Sequence, residues 1–278
     1  MLRYDLHCHS TRSDGLLSPA DVVRRAARRG VDVVALTDHD ELAGLAEARE
    51  AARDAGIGFV EGSELSVTWR DTTIHVLGLR IDGQNAALNN GLQAVRTGRD
   101  ARARRIGESL AEARIADAYE GARAYVTSER LISRTHFARH LIDQGHARDM
   151  KDAFSRFLTA GKPGYVRHAW PTLAQAVGWI RGAGGQAVIA HPGRYRITDA
   201  DLRALVHEFR DLGGEGLEVV SPSHTSAQYD AFAALVRAYG LKASCGTDFH
   251  GPGESRFDFG ELPALPAGVD PIWSAWQR

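Results

Sequence analysis

At 278 residues, 44 % of them hydrophobic and 25 % charged, the chain can bury one large α/β domain or a domain carrying an insertion. Thirty-four Lys and Arg against 35 Asp and Glu give a formal net charge of −1, so the whole-chain charge carries no nucleic-acid footprint. The longest apolar runs, such as VDVVAL at 31–36, are too short to span a bilayer, and the N-terminus lacks a basic stretch followed by an apolar one, so a cytoplasmic protein with no membrane partner is expected.

In chain order the elements alternate. RYDLHCH reads as a strand, SPADVVRRAARRG as a helix capped by Ser18 with Pro19 in its first turn, and VDVVALTDH as the second strand. ELAGLAEAREAARDAG reads as the next helix, ending at a glycine, and IGFVEGSEL as the next strand. SVTWRDTTIHVLGLRI is rich enough in β-branched residues for a hairpin turning at Arg70 and Asp71. From 82 to 165 strand signals stop and helical patterns take over; the alternation resumes after Val166 through AVIAHP, LEVVSPSH and ASCGTDFH. The pattern predicts an α/β barrel domain built from 1–81 and 166–278, interrupted by a helical insertion at 82–165. That insertion holds 14 Lys and Arg against 10 Asp and Glu, net +4, leaving 20 against 25, net −5, for the rest. Such asymmetry suits an anion-facing cap, although charged helix faces are commonly just solvated. Cys8 and Cys245, too few for a disulfide framework, fall in apolar strands and should be buried, unreactive thiols.

The chemistry lies in where the histidines fall. In DLHCHSTRSDG, His7 and His9 stand two apart, so in extended chain both rings share a face while Cys8 points away, and Asp14 arrives from the following loop. Asp38 and His39 close the second strand, Glu64 the third; His75 lies in the hairpin; His191 closes a later strand, and Asp248 and His250 the last. Any one of these could be a hydrogen-bonded structural residue. In a barrel of parallel strands, however, the C-terminal ends converge on one face, which would bring them together. His7, His9, Asp14, His39, Glu64, His75, His191, Asp248 and His250 make nine groups, more than one zinc takes and enough for three ions if a carboxylate bridges. Mixed imidazole and carboxylate ligation suits Mn, Fe or Zn, and clustered divalent ions serve phosphoryl chemistry by activating water and neutralising phosphate charge.

DLHCHSTRSDG, ALTDHD, EGSELS, IHVLGL, AHPGRY and CGTDFHG, in that order, resemble the PHP (polymerase and histidinol phosphatase) superfamily of metal-dependent phosphoesterases. The likeness covers the chain apart from the helical insertion. With SRTHFARHL inside that insertion, the chain looks like the nucleoside 3′,5′-bisphosphate phosphatase and 5′–3′ exoribonuclease (RNase AM-like) group. The resemblance implies a distorted seven-stranded barrel and three divalent ions, Mn foremost with Fe or Zn as alternatives. It assigns His7, His9, Glu64 and Asp248 to one ion, Glu64 as a bridge to a second with His75 and His191, and Asp14, His39 and His250 to the third. Some members carry histidine at the position of Asp14, which bears on the third ion's identity.

Secondary candidates are Asp38, expected to fix the His39 ring, and Asp40, for which a helix N-cap is the plain alternative. Arg134 and His136, behind Ser133 at a helix start, suit a terminal phosphate, as does ordinary capping. His224, after a strand, could bind phosphate or protonate a leaving group, and Lys162 and Arg194 are further phosphate candidates. His140, His146 and His207 read as surface residues; His168 has no assigned role. The expected chemistry is metal-assisted hydrolysis of the 3′-phosphate of a nucleoside 3′,5′-bisphosphate, extending to release of nucleotides from the 5′ end of short single-stranded RNA. The catalytic groups are expected to be His191, His224 and Asp38. Alternatives are a small-monoester phosphatase such as histidinol phosphatase, and a metal-bound accessory module without activity. No protein partner can be inferred.

Overall fold

The computed structural model describes residues 2–126 and 131–276. The TSER stretch at 127–130, which precedes the phosphate candidates Arg134 and His136 in sequence, lies outside the described residues. Seven strands follow one another across a single sheet in chain order: β1 Tyr4–Asp5, β2 Val33–Leu36, β3 Gly58–Trp69, β4 Thr72–Leu79, β5 Gln186–Ile189, β6 Gly216–Val220 and β7 Lys242–Cys245. Neighbours are parallel except at β4, which is antiparallel to both β3 and β5. Leu6 N–H donates to the Cys245 carbonyl at 3.0 Å and His9 N–H to the Phe249 carbonyl at 2.8 Å, so the last strand returns to the first and the barrel nearly closes.

Two details differ from the sequence reading. The first strand is regular for two residues only, because the His-Cys-His segment pairs at isolated points, with Thr37 on one side and Phe249 on the other. In the third strand, IGFVEGSEL and SVTW form one uninterrupted element that turns at Arg70, in the left-handed region, into β4. This hairpin explains how His75 reaches the site. Since β4 runs backwards, its beginning lies at the mouth where the parallel strands end, with Ser66 opposite His75 and Glu64 opposite Leu77.

Helices α1 Pro19–Arg28 and α2 Leu45–Ala55 pack behind the first strands. As expected, Ser18 caps α1 by accepting from Asp21 N–H at 3.1 Å, and Gly56 ends α2 in the left-handed conformation. The insertion supplies α3 Ala86–Glu112, α4 Ala118–Arg123, α5 Arg134–Asp143 and α6 Met150–Ala153, the last running into a π-helical turn over Phe154–Leu158. Helices α7 Leu173–Gly182, α8 Asp199–Asp211 and α9 Ser226–Tyr239 cover the remaining strands, and capping boxes start α7 and α9. Among the described residues, no helix is long and apolar enough to cross a membrane.

Apolar residues sort into layers. Leu6, Ala35, Val60, Leu77, Val188 and Ala190 fill the barrel, and a larger cluster separates β3–β7 from α7–α9. Helix α3 serves two clusters: Leu88 and Leu92 join the barrel's outer layer, while Ala103, Ile106 and Leu110 join a separate core with Phe137, Leu141 and Leu158. Both cysteines are buried, as expected, and burial raises each thiol well above its ordinary pKa. The α3–α7 contact is tight at Gly91, where an added Cβ would meet the Trp179 ring at 2.6 Å. Gly91→Ala should therefore lower unfolding free energy by about 1–3 kcal/mol in chemical denaturation, despite alanine's better helix propensity.

Candidate metal centre

The His-Cys-His segment is pinned between β2 and the continuation of β7, with the Cys8 thiol donating to the Ala35 carbonyl at 3.1 Å. Cys8 thus joins the apolar layer behind β2 while both imidazoles face the mouth, their Nε2 atoms 3.2 Å apart. This close return of the chain requires glycine at 246, since a Cβ there would lie 2.2 Å from that of His7. His191 and Asp248 sit at strand ends with φ of +26° and +46°, in the region that costs non-glycine residues about 1–3 kcal/mol and concentrates at functional sites.

Glu64 is the centre of the arrangement, fully buried with imidazoles on both oxygens. Its Oε1 lies 2.8 Å from His75 Nδ1 and 2.8 Å from His191 Nε2. Its Oε2 lies 3.0 Å from His39 Nδ1 and 3.3 Å from both His7 Nε2 and His9 Nε2. Asp248 Oδ1 is 3.2 Å from His9 Nε2, and Asp14 Oδ1 is 3.4 Å from His250 Nε2. All nine residues expected to bind metal meet at this mouth. Three groups have ligand atoms within 4.8 Å of one another: His7, His9, Glu64 and Asp248; His9, Asp14, His39 and His250; and His39, Glu64 and His75. The first matches the set the resemblance implies. The second adds His9 to the implied three, and the third holds His39 where His191 was implied.

The donor chemistry fits divalent cations. Glu64 Oε2, Asp14 Oδ1 and His39 Nδ1 are buried without a hydrogen bond, although other polar atoms crowd them. Burial works against ionisation of Glu64, yet His75, His39 and His7 hold its carboxyl well below the usual carboxylate range. Asp14 and Asp248 are likewise held low by their histidines against their own burial. Burial pushes His39 to about 4 and His191 to about 3, keeping both neutral and able to donate a lone pair. His7 and His9 are raised despite burial, His7 by Glu218 and Glu64 and His9, to about 10, by Asp248 and Glu64. Three buried carboxylates thus demand positive charge, and a divalent ion can take the place of those ring protons.

One residue the sequence reading missed orients the cluster. Glu218, fully buried in β6, takes a hydrogen bond from His7 Nδ1 at 2.9 Å and another from His191 N–H at 2.6 Å. It sets the His7 tautomer, turning Nε2 to the mouth, and fixes the strained His191 backbone. The signal available was a lone acid inside the apolar run GLEVV. Glu218→Gln should reduce metal affinity by about 10–100-fold, checked by metal titration of the stripped protein.

Other expectations are corrected by their contacts. Asp38 does not reach the His39 ring: its carboxylate accepts from Ser10 N–H at 2.7 Å, Ser10 Oγ at 2.6 Å and Ser13 Oγ, so it shapes the loop leading to Asp14. Asp40 is no N-cap. It is buried with φ +51°, accepts from Ser66 N–H at 2.8 Å and pairs with Arg99 of α3. His224 has both nitrogens committed inside the protein, Nδ1 to the Val219 carbonyl at 3.0 Å and Nε2 to Gly193 N–H at 3.1 Å, so it holds the 192–194 turn and has no proton to give a leaving group. His136 Nδ1 accepts from Ser133 N–H at 3.0 Å, closing the α5 capping box, and burial lowers it to about 4. Lys162 is exposed and does not line the cavity beside the candidate metal ligands. His140 is buried beneath Gly121 rather than on the surface.

Arg134 and Arg194 do reach the mouth, together with two arginines and a tryptophan the sequence reading passed over. A cavity bounded by Asp14, His39, His75 and His250 is lined by Arg99, Arg102, Arg134 and Arg194, with Trp170 as one wall. Arg99 and Arg102 stack on Trp170 at 4.8 and 5.3 Å, a role visible only after α3 folds across the barrel. Arg194 donates to Asp248 Oδ2 at 2.9 Å. Arg102 and Arg134 have carbonyl acceptors, Val166 and Leu158, but no carboxylate partner among the described residues. Burial and then neighbouring guanidinium groups push Arg102 down to about 9 and Arg134 to about 10. An anion between them would relieve that repulsion. The insertion also grips the ligand loop directly, Ser133 Oγ donating to Asp14 Oδ2 at 2.8 Å and Arg139 to the Asp14 carbonyl at 2.7 Å.

Comparison with known proteins agrees with this geometry. The chain is 50 % identical over 273 residues to a 3′,5′-nucleoside bisphosphate phosphatase of Chromobacterium violaceum, covering 98 % of this chain and 96 % of that protein. It is 40 % identical over 271 residues to a 5′-3′ exoribonuclease of Haemophilus influenzae, covering 98 % of each. A solved structure of an amidohydrolase from Chromobacterium violaceum, with bound sulfate and no metal, superposes with a TM-score of 0.95 at 49 % identity, over 98 % of this chain and 94 % of that one. Residues 5–166 match the PHP domain, and the chain belongs to that family.

Proposed function

We propose that this protein is a metal-dependent phosphoesterase that removes the 3′-phosphate of nucleoside 3′,5′-bisphosphates and releases 5′-nucleotides from short 5′-phosphorylated RNA. One observation carries the reading: a carboxylate shared among five imidazoles opens onto a cavity where Arg102 and Arg134 lack carboxylate partners. A centre that would hold divalent ions beside an arginine-lined cavity would give two anion-attracting sites, which suits a substrate with two phosphates. The relatives' names point the same way.

The nine mouth residues would hold divalent ions, three by the resemblance and Mn before Fe or Zn, with Glu64 a ligand common to two; bound there, the ions would supply an activated water and charge neutralisation at the scissile phosphate. The chain's own contribution is placement. Glu218 turns His7, and Asp38 with Ser10 and Ser13 sets the loop that presents Asp14. Arg194, tethered to Asp248, faces the scissile phosphate, while Arg102 and Arg134 take the remote one. The insertion at 82–165 acts as the substrate cap, and the enzyme works in the cytoplasm. Water attacks phosphorus in line, the P–O3′ bond breaks, and the 3′ oxygen leaves as a hydroxyl.

The test compares phosphate release from a 3′,5′-bisphosphonucleotide and histidinol phosphate, and nucleotide release from a 5′-phosphorylated oligoribonucleotide, with added Mn²⁺. The bisphosphonucleotide should give the highest kcat/KM; parity with histidinol phosphate would favour a small-monoester phosphatase.

A further inference from the structure

A second opening leaves the metal centre on the other side of Arg194. Asp248 and His250 bound its inner end; Met150, Lys151 and Phe154 of the insertion form one wall, and Pro222, Ser223 and Arg256 of the barrel form the other. This groove encloses about 500 Å³, within the range of pockets that take ligands of nucleotide size, whereas the arginine cavity holds about 60 Å³ and has no room for a continuing chain. The arginine cavity has room for little more than the remote phosphate of a bisphosphonucleotide, whereas the groove is large enough to take more of a substrate than that, and its chemistry indicates a polyanionic, base-bearing chain.

Its available charge is positive. Lys151 is exposed and has no acidic partner among the described residues. Arg256 donates to the Pro222 carbonyl at 3.0 Å and has further N–H groups free of that bond. The groove's own acid, Glu254, is neutralised by Arg139 through bonds of 2.8 and 2.7 Å. Phe154 and Met150 add an apolar face beside these cations, the combination that binds single-stranded nucleic acid through backbone charge and base stacking.

We infer that this groove carries the RNA chain on the 3′ side of the scissile phosphate, with Lys151 and Arg256 on its first downstream phosphates and Phe154 under a base. The inference rests on the proposed function and adds a specificity element to it. The balance of the reaction requires such a place. Water's oxygen bonds to phosphorus and the P–O3′ bond breaks; O3′ departs, protonated, on the terminal nucleotide, and the phosphate remains as the new 5′ end of the chain lying in the groove. A product held there is poised to advance by one nucleotide, which suits removal from the 5′ end.

Lys151→Glu, and Lys151→Glu combined with Arg256→Ala, test this in the metal-loaded protein. The readout is the ratio of kcat/KM for a 5′-phosphorylated tetraribonucleotide to that for a 3′,5′-bisphosphonucleotide. The ratio should fall at least tenfold in the double variant, with a shallower salt dependence for the tetranucleotide, by about 0.7 per lost phosphate contact. An unchanged ratio overturns the inference, including the case where both activities fall together. Fluorescence anisotropy with a phosphorothioate-linked, 5′-phosphorylated tetranucleotide gives a second readout that does not depend on turnover: weaker binding by the variant supports the groove, and equal binding overturns it. Failure of the proposed function has a different signature, since wild type would then hydrolyse the bisphosphonucleotide no faster than a 3′-monophosphate.

Discussion

Glu64→Ala should cost more activity than loss of any single terminal ligand, more than about a hundredfold, because even outer-shell partners of metal ligands are worth about 10–100-fold. The reason lies in the division of its carboxylate, Oε1 against His75 and His191 and Oε2 against His7, His9 and His39. Removing it leaves His39, His75 and His191 without the carboxylate that joins them to His7 and His9, which keep Asp248, so on the three-ion reading two ions would lose a ligand at once. His75→Ala removes one donor from one ion and should cost less. Elemental analysis of fully loaded wild type should return more than one transition metal per chain, and Glu64→Ala a lower stoichiometry. A reproducible wild-type value of one or less would overturn the three-ion assignment. Glu64→Gln, which preserves volume, guards against misreading a folding defect: it should keep the wild-type circular dichroism while losing metal.

Most of the nine mouth residues were legible because they stand just past a strand end or in a turn, which local patterns reveal best; Glu64 lies instead within β3, which runs on past the barrel mouth into the hairpin. His75 is instructive. Its motif placed it in a hairpin, but only the reversal of β4 explains why the start of a strand lies among the ends of others. What escaped was the second layer of partners. Glu218 acts on His7 across 211 positions and Arg99 on Asp40 across 59, and no periodicity encodes such pairs. His224 shows the opposite error: a histidine after a strand has the right address, yet its ring is turned inward to backbone groups. Asp38 likewise neighbours a metal-site histidine in sequence while serving a different loop in space. The helical insertion was readable as helix, but its contact with the mouth was not. Ser133 bonds Asp14, and Arg99, Arg102 and Trp170 line the same cavity as the candidate ligands, only because α3 and α5 lie across the barrel.

Arg134→Ala should weaken productive use of a 3′,5′-bisphosphonucleotide by about ten- to a hundredfold, since a hydrogen bond to a charged group contributes about 1.5–3 kcal/mol. Metal content should not change, because Arg134 donates to the Leu158 carbonyl and to none of the metal-site residues. The decisive comparison is with the matching 3′-monophosphate, which lacks the remote phosphate. In wild type the bisphosphonucleotide should be the better substrate in kcat as well as KM, because binding energy from the non-reacting phosphate can be used to orient the scissile one. In Arg134→Ala that advantage should shrink, while the monophosphate is cleaved nearly as before. Arg102→Ala should behave in the same direction and remove a repulsive neighbour, since Arg102 and Arg134 both face the cavity without carboxylate partners among the described residues. If Arg134→Ala slows both substrates equally, the guanidinium supports the cavity wall instead of reading a second phosphate. Equal kcat/KM for the two substrates in wild type would remove the two-phosphate argument itself and return the small-monoester phosphatase as the better reading.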